Sequence, residues 1–415
     1  MDEAGPKAFP TNLGIDEARA RIVEIAAKFA LPSERVQLEQ ARARILGVDI
    51  TAPADVPGFI NSAMDGFALR GADLPQQGEK IFRMDGEILA GGREAAAIGA
   101  NACVRITTGA ALPRGADTVV MKENTRVDDA GVHVAAGTTA GANVRGAGED
   151  YRRGDLALSR GQQLTPAAVG VLAAFGMTQV DVIARPRAVL LTTGDELAAP
   201  GDKLGFGGIY DSNRFSLGGL LEQQGVTLLR HERLKDVPAA LLDALRRAGD
   251  DADIVLSSGG VSAGEADFMP KVIAEIGEIL FWKVRMRPGM PFLFGRVGKA
   301  LVCALPGNPV SGFATFLTLV RPALDAMCGI DRPFLPLRAR LRRELHKRHA
   351  RSEFQRARLE CDASGTLWAT PHDKQGSGMM RGMAEADALI LLPEDAHEFA
   401  LGTVVDVLPL PGWPR

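Results

Sequence analysis

The sequence predicts a multidomain protein, α/β at its centre and β-rich on either side, and three observations carry that prediction. Three apolar runs between Arg187 and Phe313 each open directly into a polar, glycine-bearing loop: AVLLTTGDEL (188–197), DIVLSSGGVSAGEADF (253–268) and ALVCALPGNPVSG (300–312). Runs of this length, followed by helical periodicity, read as buried parallel strands, and open α/β sheets place their ligands at the carboxyl ends of such strands. Residues 53–153, and the chain beyond Asp331, change to short β-branched or alternating runs punctuated by glycine and read as β-rich.

Taken in order, the first dozen residues read as a mobile polar lead-in. Ile15, Ala18, Ile22, Ile25, Ala26 and Phe29 then recur at helical spacing behind Asp16 and Glu17, so an amphipathic helix follows. The pattern predicts a second helix over 38–46, stopped by Gly47. Thr165-Pro166 combines a cap with a first-turn proline, and Gly176 stops the helix they start. In the central segment helices are expected over 215–224, 238–248 and 310–327, with an extended run over 226–230. Asp211-Ser212-Asn213 marks a helix start at which Asn213 can serve as the cap, and Asp236 precedes the next helix, where an acid favours the amino terminus. LFWKVRMRPGMPFLF (280–294) reads as two extended runs about a Pro-Gly turn, and Pro306 and Pro309 stiffen the loop before the last central helix. Near the carboxyl end Leu337, Ala339 and Leu341 alternate with Arg338, Arg340 and Arg342, a half-buried strand. The basic density continues to Arg351 and reads as a solvated face, because no aromatic platform for nucleic acid is interleaved with it.

Composition narrows the function classes. At 415 residues the chain holds two to four domains, taking roughly 100–200 residues for each. A formal charge of −3 gives no global attraction to nucleic acid or an anionic membrane, and no apolar run approaches the ~20 residues of a membrane span. Cys103, Cys303, Cys328 and Cys361 are scattered without a C-x-x-C pair and no signal peptide is evident, which fits a reduced, cytoplasmic protein. The six histidines lack metal-ligand spacing; His346 and His349, in the basic run, read as surface residues.

The central loops carry chemistry for a charged ligand. Glu196, Asp211, Asp236, Glu265 and Asp267 are interleaved with glycines, with Lys283 nearby. Glycine lets main-chain N–H groups approach an anion, whereas carboxylates repel a phosphate, so a site mixing both implies a divalent cation between them. For any one loop by itself, an ordinary strand-to-helix turn whose acids cap helices is the favoured reading.

Taken together, TTGDELAAPG, SSGGVSAGEAD, RPGMPFLFG and LPGNPVSG, with PADVPGFINSAMDGFALR (53–70), RITTGAALPRGADTVVMKE (105–123) and GANVRGAGEDYRRGD (141–155), resemble the molybdopterin molybdenumtransferase family. That family comprises the bacterial MoeA proteins and their gephyrin E-domain relatives, and the resemblance spans nearly the whole chain. It implies a multidomain α/β plus β architecture: an elongated discontinuous domain over 8–52 and 154–185, interrupted by a β-rich insert domain over 53–153. A molybdopterin-binding α/β domain with a parallel-type sheet over 186–331 and a C-terminal β-rich domain over 332–415 complete it. The implied activity is transfer of molybdenum from molybdate into adenylylated molybdopterin with release of AMP. Mg²⁺ is the implied cofactor, a homodimer with the pocket between subunits the implied assembly, and the adenylylating enzyme a transient partner; neither nucleic acid nor membrane is expected.

Residue by residue, the resemblance gives catalytic roles to Asp65, Glu196, Asp236, Asp267 and Lys283, with Glu196, Asp236 and Asp267 also set to hold Mg²⁺. It gives substrate binding to Thr108, Asp150, Ser258, Gly259, Gly260, Ser262, Arg287, Pro306 and Pro309, and molybdate binding to Arg356 and Ser377. One stretch departs from the family: its common K-P-G-K-P is Arg287-Pro288-Gly289-Met290-Pro291 here. Arg287 keeps a charge on a planar donor fork, and Met290 loses the second charge. Two other readings stand beside this one. Pyrophosphatases of the competence-damage-inducible family carry G-G-L-G-P-T-x-D-D where this chain has GGVSAGEAD, and a carrier or scaffold would present molybdopterin without inserting metal. Tungstate matches molybdate in size and charge.

Overall fold

The computed structural model describes residues 9–92, 97–261, 268–331, 333–334 and 336–413. The chain divides into two compact units, one comprising residues 1–34, 43–45 and 182–415, the other residues 35–42 and 46–181. Among the described residues the first unit is built on a seven-stranded sheet, in the order Thr11–Leu13, Gly277–Val284, Leu293–Val297, Ala300–Leu305, Ile254–Ser258, Arg187–Thr193 and Thr227–Leu234. The last four strands are mutually parallel, and Leu293–Val297 runs antiparallel to both its neighbours. The three apolar runs of the sequence are thus adjacent central strands, buried on both faces. Ala188 and Leu190 face one layer with helix Ile15–Ala27, helix Asn213–Gln223 and the helical stretch 309–327. Val189 and Leu191 face the other, with helices Pro238–Asp251 and Met269–Ile276.

The C-terminal strands form a six-stranded sheet that closes on itself, because Ser352–Cys361 pairs with both Leu367–Pro371 and Ala388–Leu392. Its outermost strand is Met286–Arg287, lent by the Pro-Gly segment of the α/β domain and aligned with Ser352 and Glu353. In the second unit, described residues form a six-stranded sheet in the order Thr118–Met121, Gly66–Leu69, Ala102–Ile106, Glu79–Ile88, Gly131–Ala135 and Thr125–Asp128. Helix Pro166–Ala174 begins as expected, with the Thr165 hydroxyl accepting from the Ala168 amide, and Gly176 lies past its end at φ 72°.

Several expectations are corrected. Thr11–Leu13 is not a mobile lead-in but an edge strand paired with Trp282 and Val284. The helix expected over 38–46 is a single 3-10 turn, Leu38–Gln40; Ala43 sits at φ 63°, a conformation that no helix continues through. Helix Ile15–Ala27 belongs to the α/β core, where Ile15, Ala18, Ile22 and Ala26 are buried, while helix Pro166–Ala174 belongs to the other unit. The basic run is not uniformly solvated either. Lys347 is buried, its ammonium donating to the carbonyls of Arg351, Pro393 and Glu394, and His349 is half-buried beside Glu353. Among the described residues no helix is long and apolar enough to cross a membrane.

Candidate functional site

Thr193, Ser258 and Leu305 end three adjacent parallel strands. From Thr193 the chain crosses to Thr227–Leu234 at one edge, and from Ser258 it crosses to the opposite half of the sheet, so a topological switch point lies between their carboxyl ends. Gly259 stands there at φ 103°, donating its amide to the Leu305 carbonyl at 3.0 Å, and a Cβ on it would lie 2.6 Å from the Thr193 carbonyl oxygen. Only glycine fits this approach. The Asn213 amide donates to Ser258 Oγ and to the Gly307 carbonyl, both at 2.7 Å, and Ser258 Oγ lies 3.5 Å from the Pro306 carbonyl. Ser258, Gly259, Gly260 and Pro306 are therefore brought together, and Pro309 opens the helix that follows.

Asn213 is not the helix cap. Asp211 takes that role, its Oδ1 accepting the Arg214 amide at 3.0 Å. Its Oδ2 accepts the Thr192 hydroxyl at 2.6 Å and lies 3.5 Å from His231 Nε2. Burial alone would raise this carboxyl pKa, but the bonds from His231, Thr192 and the Arg214 amide outweigh it and hold the group below its ordinary range.

Glu196 and Asp236 stand on adjoining loops. The Gly194 amide donates to the Leu234 carbonyl and the Asp236 amide to Asp195 Oδ1, each at 3.3 Å, while the Glu196 carboxylate folds back over Gly194. Ser262, Glu265 and Asp267 lie outside the described residues, as does any contact they make. Among the described residues no group of three or more metal-ligating side chains is gathered. Two carboxylates on neighbouring strand-end loops nevertheless fit Mg²⁺, a hard cation that keeps several waters and takes its remaining oxygens from a phosphate. Lys283 adopts φ 68°, rare for a side-chain-bearing residue, with its ammonium 4.4 Å from the Trp282 ring centroid. The Trp282 indole donates to the Val261 carbonyl at 3.3 Å, which ties Lys283 to the end of the Ser-Gly-Gly loop.

A cavity of about 620 Å³ opens where the Pro-Gly segment meets the C-terminal barrel, lined by Arg287, Met290, Ser311, Arg351, Glu353 and Ser377 among others. The Val310 amide donates to the Ser377 carbonyl at 3.1 Å, so this cavity adjoins the proline-bearing loop of the strand-end site. Arg356 is placed differently from the expectation. It is 1% exposed, and its guanidinium donates to the Lys374, Gly376 and Met379 carbonyls and to Gln375 Oε1. With its fork committed to those carbonyls, Arg356 shapes the loop that carries Ser377 rather than facing an oxyanion. The arginines that line the cavity are Arg287 and Arg351, whose Nη1 lies 3.6 Å from Met290 Sδ. Sequence reasoning missed Arg351 by assigning the basic run to a solvated face; its distance of two residues from Glu353 at the start of a strand was the available signal. His349 Nε2 is 3.2 Å from Glu353 Oε2, and burial holds its imidazole pKa below the usual value against the pull of that carboxylate.

In the other unit Asp65 Oδ1 accepts both the amide and the hydroxyl of Thr108, at 2.8 and 2.9 Å, with Lys122 Nζ 3.6 Å from Oδ2. Those bonds, the amide first, depress the Asp65 carboxyl pKa. Asp150 lines a cleft of about 550 Å³ with Gly109, Asn61, Arg145 and Glu149, and Gly109 follows Thr108 in the chain. Lys122 was not anticipated; it lies in the VVMKE motif, at the end of the strand that pairs with Gly66–Leu69.

Family models described as the MoeA N-terminal region (domain I and II), a probable molybdopterin binding domain and the MoeA C-terminal region (domain IV) match residues 13–176, 189–326 and 338–410. Fold and matches together define a multidomain transferase of molybdenum cofactor biosynthesis. The molybdopterin molybdenumtransferase of Haemophilus influenzae is 35% identical over 400 residues, 96% of this chain and 98% of that one. Molybdopterin molybdenumtransferase 2 of Mycobacterium tuberculosis is 35% identical over 385 residues, 90% of this chain and 94% of its own. The crystal structure of the molybdopterin biosynthesis MoeA protein of Pyrococcus horikoshii superposes with a TM-score of 0.83 at 27% identity, covering 96% of this chain and all of that one. The chain belongs to the molybdopterin molybdenumtransferase family.

Proposed function

We propose that this chain, acting in the cytoplasm as a homodimer, inserts molybdenum from molybdate into adenylylated molybdopterin and releases AMP, after transient contact with the adenylylating enzyme. The observation that carries the reading is the cavity where Arg287, Arg351 and Ser377 meet: two guanidinium forks against one carboxylate, Glu353, suit a doubly charged tetrahedral oxyanion. The substrate's phosphate linkage would lie over the Ser258–Gly260 turn, whose glycine backbone admits close approach. Mg²⁺, when bound, supplies positive charge to the phosphate oxygens, and Glu196 and Asp236, with Asp267, would hold it. Lys283 balances charge that develops on the departing phosphate, and Glu196 or Asp236 orients water at the linkage. Pro306 and Pro309 set the shape of the loop between the two halves of this site. Asp65, Thr108 and Asp150 complete the pocket from a second copy of the chain, a reading that rests on the family resemblance.

The test is AMP release from purified adenylylated molybdopterin with Mg²⁺, with and without molybdate, for the natural chain beside Glu196→Ala. Release that requires molybdate and falls about 100-fold or more in the variant supports the reading. Tight binding without molybdate-dependent release overturns it.

A further inference from the structure

We propose that the side-chain oxygen of Asn213 is a ligand-recognition group, accepting a hydrogen bond from an N–H or O–H donor on adenylylated molybdopterin; this rests on the function proposed above. Asn213 is 7% exposed at the first position of helix Asn213–Gln223. Its Nδ2 donates to Ser258 Oγ and to the Gly307 carbonyl. A carbonyl only accepts, so the Gly307 contact fixes which end of the amide carries nitrogen. The oxygen is thereby fixed as well, and it has no hydrogen-bond partner among the described residues.

A buried amide oxygen left without a donor is a standing desolvation cost, of the kind that a bound ligand relieves. Helix capping does not explain the residue, because Asp211 performs it. The amide is also held before any ligand arrives: one donor engages Ser258 at the end of one strand, the other engages the loop after a second, and Asp211, two residues earlier, is tied to Thr192 on a third. Gly259 and Gly260 follow Ser258 directly and Pro306 precedes Gly307, so Asn213 braces the crevice at which the substrate is expected.

The chemistry restricts what can meet it. Ionised phosphate and molybdate oxygens only accept, so they are excluded from Oδ1. The donor must come from the ring or sugar portions: a pterin ring N–H or amino group, an adenine amino group, or a ribose hydroxyl.

The experiment measures equilibrium binding, without molybdate, of adenylylated molybdopterin, of AMP alone and of molybdopterin alone. Asn213→Ala is compared with Asn213→Asp, which keeps an oxygen acceptor but loses both amide donors. The expected result is a dissociation constant raised about tenfold by Asn213→Ala and held within about threefold by Asn213→Asp, while both lower the melting temperature. The arm in which the alanine effect survives, AMP or molybdopterin, identifies the donor. Equal weakening in the two variants, or weakening in neither, overturns the inference and assigns Asn213 to loop bracing alone. Should the variants fail to fold, the side-chain amide resonances of Asn213 in the natural chain decide: they shift on saturation with substrate, and resonances that stay in place overturn the inference. A natural chain that binds none of the three ligands removes the proposed function itself, an outcome separate from these.

Discussion

Asp65 shows how one carboxylate is set for its task by its neighbours. Thr108 supplies two donors to it, and Thr108→Ala removes only the hydroxyl, so an NMR titration should find the Asp65 carboxyl pKa higher in the variant yet still below its ordinary value. Because the folded pKa is depressed, the stability it contributes is present above the unfolded value and lost as pH falls through the folded one; in Thr108→Ala that loss is smaller and is complete at a higher pH. His133 is the opposite case. Glu79 and then Asp128 hydrogen-bond its ring nitrogens at 2.7 and 3.0 Å and raise its pKa, so its contribution is full below the unfolded imidazole value and disappears as pH rises through the folded one. The fall in melting temperature between about pH 6 and about pH 9 should therefore flatten in His133→Gln. Burial pushes the thiols of Cys103 and Cys328 up to about 12, and Cys303 is fully enclosed, whereas Cys361 is exposed. A thiol reagent should label Cys361 alone in the folded chain and all four cysteines after denaturation, as counted by mass spectrometry. At this scale residue identity was legible and direction was not. The motifs named Asp65, Thr108 and Ser377 as candidates, but an arginine in a strand reads the same whether its fork meets an oxyanion or, like Arg356, loop carbonyls.

At the scale of elements, apolar periodicity found the three central strands because burial on both faces leaves a continuous apolar run. It failed over 38–46, where the spacing of apolar residues is helical but Ala43 turns the backbone left-handed, a preference that alanine's identity does not announce. Close approach between strands was equally hidden. A Cβ on Gly66 would lie 2.0 Å from the Val120 carbonyl oxygen, so Gly66→Ala must force strand Gly66–Leu69 away from Thr118–Met121. The expected cost is about 3 kcal/mol or more in urea unfolding of that unit, with Asp65 displaced alongside; a change below about 0.5 kcal/mol would show that the sheet yields freely.

At the scale of the molecule, the resemblance implied an order of domains, but the place of helix Ile15–Ala27 was not legible, since amphipathic periodicity states that a face is buried without stating against what. Asp65 and Glu196 lie in different compact units, which makes the proposed shared pocket testable by mixing. Asp65→Ala and Glu196→Ala chains, each inactive alone, should recover about a quarter of the natural activity when refolded together, because a two-fold dimer of one of each has one intact site. A pocket confined to a single chain recovers none. The two-residue strand Met286–Arg287, which belongs by sequence to the α/β domain and by hydrogen bonding to the barrel, has a consequence for how such proteins can be recombined. A crossover placed in the proline-bearing linker after Asp331 would import a barrel without the strand that completes its edge and would part Arg287 from Glu353. Exchange of the last domain between relatives must therefore carry the distant 286–291 segment with it, so the two regions are inherited as one unit although more than forty residues of chain separate Pro291 from Leu337.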